Sequence, residues 1–108
     1  MIPEMSATEL AAALRSAAPP HLLDVREPEE FELAALAGAR LIPLGQLAGG
    51  WGEIGNWRGE AVVVYCHHGI RSLHAAAWLR EAGFTDVTNL AGGIDAWSRE
   101  VDRSLPRY

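Results

Sequence analysis

The residues best suited to chemistry lie in one short segment near the middle of the chain. The apolar run Ala61–Tyr65 ends at Cys66, the only cysteine among the 108 residues, and a helix-compatible run begins at Leu73. A strand, a tight loop and a helix in this order point backbone N–H groups and the positive end of a helix dipole at one centre. Cysteine pKa values at such centres fall from about 8.5 to between about 3.5 and 7.5, so the nucleophilic thiolate exists at neutral pH. The pattern therefore predicts a reactive Cys66.

A lone cysteine can equally be a small buried hydrophobic residue, and its neighbours must decide between the two interpretations. Cys66 ends the apolar run instead of lying within it. Gly69 permits the backbone angles of a tight loop, and Arg71 carries a fork of donors that fits an oxyanion. Cys66 is thus the predicted catalytic nucleophile. The residues after it are the predicted substrate- and anion-binding loop: His67, His68, Gly69, Ile70, Arg71 and Ser72.

The two histidines of this loop have a weaker claim to a role. The sequence does not decide whether His67 or His68 faces the site, and adjacent side chains in a cradle usually diverge. A metal site built from Cys66, His67, His68 and His74 is an alternative, but the spacing of these residues fits no usual zinc motif. We therefore expect neither a metal nor another cofactor, and we expect the loop to act mainly through its backbone N–H groups.

A second polar pair follows the strand-like run that begins at His21. Asp24 and Arg26 lie where that strand ends, and open α/β sheets bind their ligands at the carboxyl ends of their strands. An ion pair at a strand end, with no role in chemistry, explains the same two residues equally well. Asp24 and Arg26 are therefore candidate supporting residues of the site, and both interpretations stay open.

Composition and charge exclude several classes of protein. The net charge is −5 and no stripe of lysine and arginine is present, which argues against a surface for nucleic acid or anionic membranes. A single cysteine excludes an internal disulfide, and no apolar run approaches about 20 residues. The first residues lack the basic and apolar regions of a signal peptide, so we expect none. We expect a cytoplasmic monomer with one domain over residues 1–108.

Strand-like and helix-like runs alternate along the chain, which predicts an α/β fold. Short connections and right-handed crossovers favour a parallel sheet of about five strands, covered by helices on both faces in three layers. The glycine-rich stretch from Gly45 to Glu60 is expected to be a long loop. We expect Trp51 and Trp57 to pack over an edge of the core, and the alternative is that one of them forms a wall of the site. Residues 102–108 are expected to form a frayed tail.

Four segments resemble the rhodanese-like sulfurtransferases, in the order in which that family has them. The resemblance extends over about residues 5–100 and rests on the segments 23–31, 38–43, 64–72 and 89–97. One departure stands out, because the sequence reads Ala34-Ala35-Leu36 where family members often have Gly-His-Ile. That histidine usually belongs to the framework of the fold, so we expect a repacked turn and unchanged chemistry.

The resemblance implies a rhodanese-type thiosulfate sulfurtransferase with a covalent intermediate. Cys66 would attack the sulfane sulfur of thiosulfate or a related small-molecule donor and become a persulfide. A thiophilic acceptor, such as cyanide, a thiol or a sulfur-accepting protein, would then remove the outer sulfur. The N–H groups of residues 67–72 would hold the negative charge of the persulfide, and Arg71 would favour an anionic donor.

Two other functions are compatible with parts of this pattern. A cysteine phosphatase or arsenate reductase needs five residues between cysteine and arginine, whereas only four separate Cys66 from Arg71. A sulfur-relay or docking module, with little turnover of small molecules, is harder to separate from the sulfurtransferase. Domains that serve only for docking tend to lack the cysteine, but a relay protein would share the persulfide and differ only in its acceptor.

Overall fold

The computed structural model describes the backbone of residues 1–108 and the side chains of all positions except 48, 50 and 51. The strands in this part are β1 (Glu4–Met5), β2 (His21–Asp24), β3 (Arg40–Leu41), β4 (Ala61–Tyr65) and β5 (Asp86–Leu90). The α-helices are α1 (Ala7–Leu14), α2 (Pro28–Leu33), α3 (Leu47–Ile54), α4 (Ile70–Glu81) and α5 (Gly93–Glu100). Short 3₁₀ turns flank α3 at Leu44–Gln46 and Gly55–Trp57.

The strands form one parallel sheet in the order β1–β5–β4–β2–β3, with β4 at its centre. Successive side chains of β4 point to opposite faces, as a strand requires. Val62, Val64 and Cys66 lie in the cluster that α3 and α4 cover, and Val63 and Tyr65 lie in the cluster that α1 and α5 cover. The predicted three-layer α/β fold is confirmed, and the central strand delivers Cys66 to the α4 side of the sheet.

Local sequence signals begin the first two helices. Ser6 accepts a hydrogen bond from the backbone N–H of Glu9 (3.1 Å), and the Glu9 carboxylate accepts one from the backbone N–H of Ser6 (2.8 Å). This capping box satisfies donors that an isolated helix leaves unpaired. Pro28 occupies the first turn of α2, where its missing N–H has no cost.

The stretch from Gly45 to Glu60 is not a loop, and the prediction of one was wrong. Helix α3 occupies its centre although the helix contains three glycines, each of which costs about 1 kcal/mol relative to alanine. Leu47 and Ile54 are both fully buried and lie seven residues apart on one face of the helix, so packing outweighs propensity. Trp57 packs against the same core cluster, whereas the side chain of Trp51 lies outside the described residues.

The two ends of the chain also differ from expectation. The short strand β1 has no counterpart among the predicted elements, and it pairs with β5 through Glu4 and Met5. Residues 102–108 have no regular secondary structure, yet Arg107 and Tyr108 bind side chains of the domain, so a frayed tail is not observed. No helix in the described part of the chain is both long and apolar enough to cross a membrane.

Candidate active site

Cys66 lies directly after β4 and is only 1% exposed. Three residues later, Gly69 has a φ of 105°, in the left-handed region that residues with side chains rarely adopt. Helix α4 begins at the next residue. A Cβ atom at position 69 would also lie 3.4 Å from the backbone of Gly92 and Leu90. Glycine at this position therefore lets the chain turn from strand to helix within a tightly packed loop.

Two donors of the predicted loop converge on the sulfur atom. The backbone N–H of Gly69 lies 3.0 Å from Sγ of Cys66, and the hydroxyl of the fully buried Ser72 lies 3.4 Å from it. Both donors come from the start of α4, whose dipole places partial positive charge at the same point. The structure thus brings Cys66, Gly69 and Ser72 together, and the Gly69 N–H and the helix dipole are placed to stabilise negative charge on the sulfur.

Asn89, on β5, completes this group of contacts, and the sequence did not identify it as a site residue. It is 1% exposed, and its Oδ1 accepts a hydrogen bond from the Ser72 hydroxyl at 2.5 Å. Its Nδ2 donates to the carbonyl of Gly69 (3.1 Å) and to the carboxylate of Glu4 (3.2 Å). The register of the sheet pairs Asn89 with Val64, near the end of β4. A polar residue in a buried strand was the available signal, but its partners depend on that register.

The N-terminus of α5 fixes the backbone of the loop from the other side. The N–H groups of Ile94 and Asp95 donate to the carbonyls of Cys66 (2.9 Å) and His67 (3.1 Å). A Cβ atom at Gly93 would overlap these same carbonyls, and Gly93 has a φ of 59°. Glycine therefore permits the close approach by which α5 holds the start of the loop.

The two histidines occupy different environments. The ring of His67 is stacked between those of His68 and Tyr108, with centroid distances of 3.9 Å on both sides, and His68 is exposed. Nε2 of His67 is buried and has no hydrogen-bond partner among the described residues. Burial and then the charge of His68 lower the pKa of His67, which favours the neutral imidazole at neutral pH. His67 is thus the more enclosed of the two side chains.

Arg71 forms a two-point ion pair with Glu30 of α2. Its two terminal nitrogens donate to the two carboxylate oxygens at 2.7 and 2.9 Å. These hydrogen bonds are the main reason that the pKa of Glu30 falls to about 2, and they also raise the pKa of Arg71. The hydroxyl of Tyr108 donates to the same carboxylate at 2.9 Å. Glu30 and Tyr108 are therefore further residues beside the site that the sequence did not single out.

Asp24 and Arg26 form an ion pair whose side chains are both 0% exposed. All five N–H donors of Arg26 have acceptors, and these are the Asp24 carboxylate, the carbonyls of Glu30 and Ala34, and the hydroxyl of Tyr108. Burial opposes the charge of Arg26, but the hydrogen bonds to Asp24 and Tyr108 outweigh it, so the pKa of Arg26 is raised. This pair joins β2 to α2 and the turn after it, and its donors are not directed at the sulfur.

The family model described as "Rhodanese-like domain" matches residues 6–100. The chain belongs to the rhodanese-like domain family. A sulfurtransferase of Allochromatium vinosum is 34% identical to this rhodanese-like chain over 92% of the chain and 91% of the relative. The structure of the human single-domain sulfurtransferase TSTD1 is 27% identical, with a TM-score of 0.81 over 93% of this chain and 98% of that one.

Other relatives of this rhodanese-like chain are longer proteins. The adenylyltransferase and sulfurtransferase MOCS3-1 of Zea mays is 39% identical over 82% of the chain, which spans 20% of that relative. The chain likewise spans less than a third of several other curated relatives that it matches. These longer proteins therefore share one region with the chain and contain further sequence that it does not match.

The departure from the family pattern at 34–36 is accommodated by packing. Ala34 and Leu36 are buried, the carbonyl of Ala34 accepts a hydrogen bond from Arg26 (2.6 Å), and the N–H of Leu36 donates to the hydroxyl of Tyr65 (3.1 Å). The backbone of this turn is thus tied to the buried ion pair and to β4.

Among the described residues, one group of potential metal ligands joins two histidines of the loop to Asp95, which the sequence did not indicate. Ligand atoms of His67, His68 and Asp95 lie within 4.8 Å of one another. The Asp95 carboxylate already accepts hydrogen bonds from Arg99 (3.0 Å) and Arg107 (3.1 Å), and these hydrogen bonds lower the pKa of Asp95. A cation at this point would lie beside two arginines that already share the carboxylate, so its binding would be opposed by their positive charge.

Proposed function

We propose that this rhodanese-like domain is a sulfurtransferase that carries sulfane sulfur as a persulfide on Cys66. The observation that carries the proposal is the position of Sγ at the start of α4, where the Gly69 N–H lies 3.0 Å from it and the Ser72 hydroxyl lies 3.4 Å from it. A backbone N–H and a helix dipole fixed in this way before the reaction stabilise a thiolate without moving, and they act more strongly in a site from which water is excluded. The sulfurtransferases among the relatives support the same activity.

The first half of the proposed reaction loads Cys66 with sulfur. The thiolate attacks the sulfane sulfur of thiosulfate, a new S–S bond forms at Sγ, and the old S–S bond breaks with its electron pair on the departing sulfite. The negative charge of the thiolate now resides on the outer sulfur of the persulfide. We expect the backbone N–H groups of the loop and the dipole of α4 to stabilise that charge.

The second half returns the thiolate. A nucleophilic acceptor attacks the outer sulfur, and the S–S bond to Cys66 breaks with its electron pair on Sγ. Cyanide, a thiol or a partner protein can serve as this acceptor. A protein acceptor, and hence a sulfur-relay role, is the second candidate, because Ile70 of the loop is 72% exposed and offers an apolar contact beside the site.

Arg71 is the proposed contact for an anionic donor. Its side chain is 36% exposed, so it remains accessible, but its charge is shared with Glu30. An anionic donor must therefore compete with a carboxylate for the guanidinium group. The cytoplasmic location, the monomeric state, thiosulfate as the donor and the absence of a cofactor stay predictions from the sequence.

Formation of thiocyanate from thiosulfate and cyanide tests the proposed activity. The wild-type protein should show the double-displacement pattern, with parallel lines in double-reciprocal plots, and Cys66→Ser should lose at least about 10³-fold in turnover. His74→Ala, at an exposed position of α4, is the matched control and should keep its turnover. Turnover that survives in Cys66→Ser would contradict the proposal.

A further inference from the structure

The hydroxyl of Ser72 has one hydrogen and two neighbours that can accept it. Sγ of Cys66 lies 3.4 Å from Oγ, and Oδ1 of Asn89 lies 2.5 Å from it. All three residues are at most 1% exposed. Because a hydroxyl donates only one hydrogen bond, the sulfur and the amide oxygen compete for it.

The orientation of the Asn89 amide decides this competition. Both hydrogens of Nδ2 have acceptors, which are the carbonyl of Gly69 and the carboxylate of Glu4. Neither acceptor could bond to an amide oxygen, so the amide cannot be reversed without losing both hydrogen bonds. Oδ1 must therefore face Ser72, and the Ser72 hydroxyl points its hydrogen at Asn89 and its lone pairs at Cys66.

This arrangement suits some states of Cys66 better than others. A neutral thiol can donate its S–H to the lone pairs of Ser72. A thiolate can only accept, so the Ser72 hydroxyl must rotate towards the sulfur and leave Oδ1 of Asn89 without its hydrogen bond. In a persulfide, Sγ is bonded to carbon and to the outer sulfur and carries no formal charge, so the hydroxyl can return to Asn89.

We propose that Asn89 is a positioning residue that acts through Ser72 and favours the persulfide of Cys66 over the free thiolate. The inference deepens the proposed sulfur transfer and rests on it. Asn89 exchanges no proton in this scheme; the hydroxyl of Ser72 rotates between two acceptors, and the proton of the thiol leaves to solvent. Loading of sulfur onto Cys66 is thereby coupled to recovery of a buried hydrogen bond.

Charged groups on the neighbouring elements also act on Cys66 or on its contacts. Arg71 of α4 interacts electrostatically with Cys66 and is paired with Glu30 of α2, and Glu4 of β1 reaches the site through Asn89. His67 lies next to Cys66 in the loop and interacts electrostatically with Asp95 of α5. A test must therefore separate the path through Ser72 from these influences, which a double-mutant cycle does.

The test measures the rate at which iodoacetamide alkylates Cys66 as a function of pH, in wild type, Asn89→Leu, Ser72→Ala and the double variant. Leucine has a similar volume but no acceptor, so in Asn89→Leu the Ser72 hydroxyl is free to donate to the thiolate. The midpoint of the profile should fall by about 0.4 to 1 pH unit, as expected for one hydrogen bond. In the Ser72→Ala protein, Asn89→Leu should leave the midpoint of the profile unchanged.

Equal shifts in both backgrounds would overturn the proposal, because a merely structural role of Asn89 does not depend on Ser72. Circular dichroism checks that each variant is folded. Alkylation needs no sulfur donor, so this result is independent of whether the protein transfers sulfur from thiosulfate.

A second measurement covers the case in which Asn89→Leu does not fold. Since the chain has a single cysteine, its infrared S–H stretching band belongs to Cys66 alone. If the lone pairs of Ser72 face the sulfur, the S–H group is hydrogen-bonded, and its band should lie at lower frequency in wild type than in Ser72→Ala. A band at the same frequency in both proteins would overturn the proposal.

Discussion

The neighbouring strands β2 and β4 end at the same edge of the sheet, and each is followed by a loop and a helix. At the end of β2, all five donors of Arg26 end on fixed acceptors of the protein. At the end of β4, the Gly69 N–H and the Ser72 hydroxyl lie next to Sγ of Cys66, an atom that can change its charge and its bonding. The comparison teaches that the polar groups after β2 are satisfied by fixed partners within the protein, whereas those after β4 surround the proposed nucleophile.

The largest expected effect breaks the ion pair after β2. Arg26→Met leaves the Asp24 carboxylate buried and unpaired, which should lower the free energy of unfolding by about 3 to 5 kcal/mol. Urea unfolding at neutral pH measures the loss. The double variant Asp24→Leu/Arg26→Met removes both charges and should recover part of the stability.

The activity of Arg26→Met tests whether the ion pair after β2 takes part in the reaction. At a temperature at which Arg26→Met is folded, its rate of reaction with thiosulfate should stay within a few-fold of wild type. A large loss of rate with unchanged stability would place Arg26 in the chemistry and would remove the distinction between the two strand ends.

An intermediate effect is expected at Arg71, which lies after β4 but is paired with α2. Arg71→Ala should raise the KM for thiosulfate by about tenfold. The variant loses a charge-assisted hydrogen bond to the donor, and competition from Glu30 already weakens that bond in wild type. The free energy of unfolding should change less, because the ion pair is partly exposed. Initial rates over a range of thiosulfate concentrations measure the KM, and an unchanged value would remove Arg71 from donor binding.

The smallest effect depends on pH and concerns the partner of Arg71. The pKa of Glu30 is about 2 in the folded protein, below the ordinary value of 4.5, so its ion pair stabilises the fold above pH 4.5 and ceases to do so as the pH falls towards 2. Glu30→Gln should cost about 1 kcal/mol at pH 6, after allowance for solvent screening, and almost nothing near pH 2.

Urea unfolding at several pH values between 2 and 6 measures this difference. Glu29→Gln, on the exposed side of the same helix, serves as the matched control and should lack the loss at pH 6. A cost for Glu30→Gln that is the same at every pH would contradict the role of the Glu30 charge.

Local patterns account for the parts of the molecule that could be predicted from sequence. The apolar run ending at Cys66, the glycine after it and the capping box at Ser6 specify their structures through near neighbours in the chain. The loop after β4 and the layered fold follow from such signals. Helix α3 could not be predicted in this way, because the burial of Leu47 and Ile54 outweighs its glycines.

The contacts that complete the site are all long-range. Asn89 reaches Ser72 across 17 positions, Glu30 reaches Arg71 across 41, and Tyr108 reaches Glu30 across 78. Each depends on the strand order and on how the helices pack over the sheet. The sequence therefore points to the proposed nucleophile and its loop, whereas the residues that contact them from other elements emerge only from the folded structure.

Intact-protein mass spectrometry tests the central claim most directly. The protein is weighed before and after incubation with thiosulfate, and again after cyanide is added, with Cys66→Ser treated in parallel. The account predicts that wild type gains the mass of about one sulfur atom, that cyanide removes it, and that Cys66→Ser never gains it. A wild-type protein whose mass does not change, or a Cys66→Ser variant that gains the same mass, would contradict sulfur transfer through Cys66.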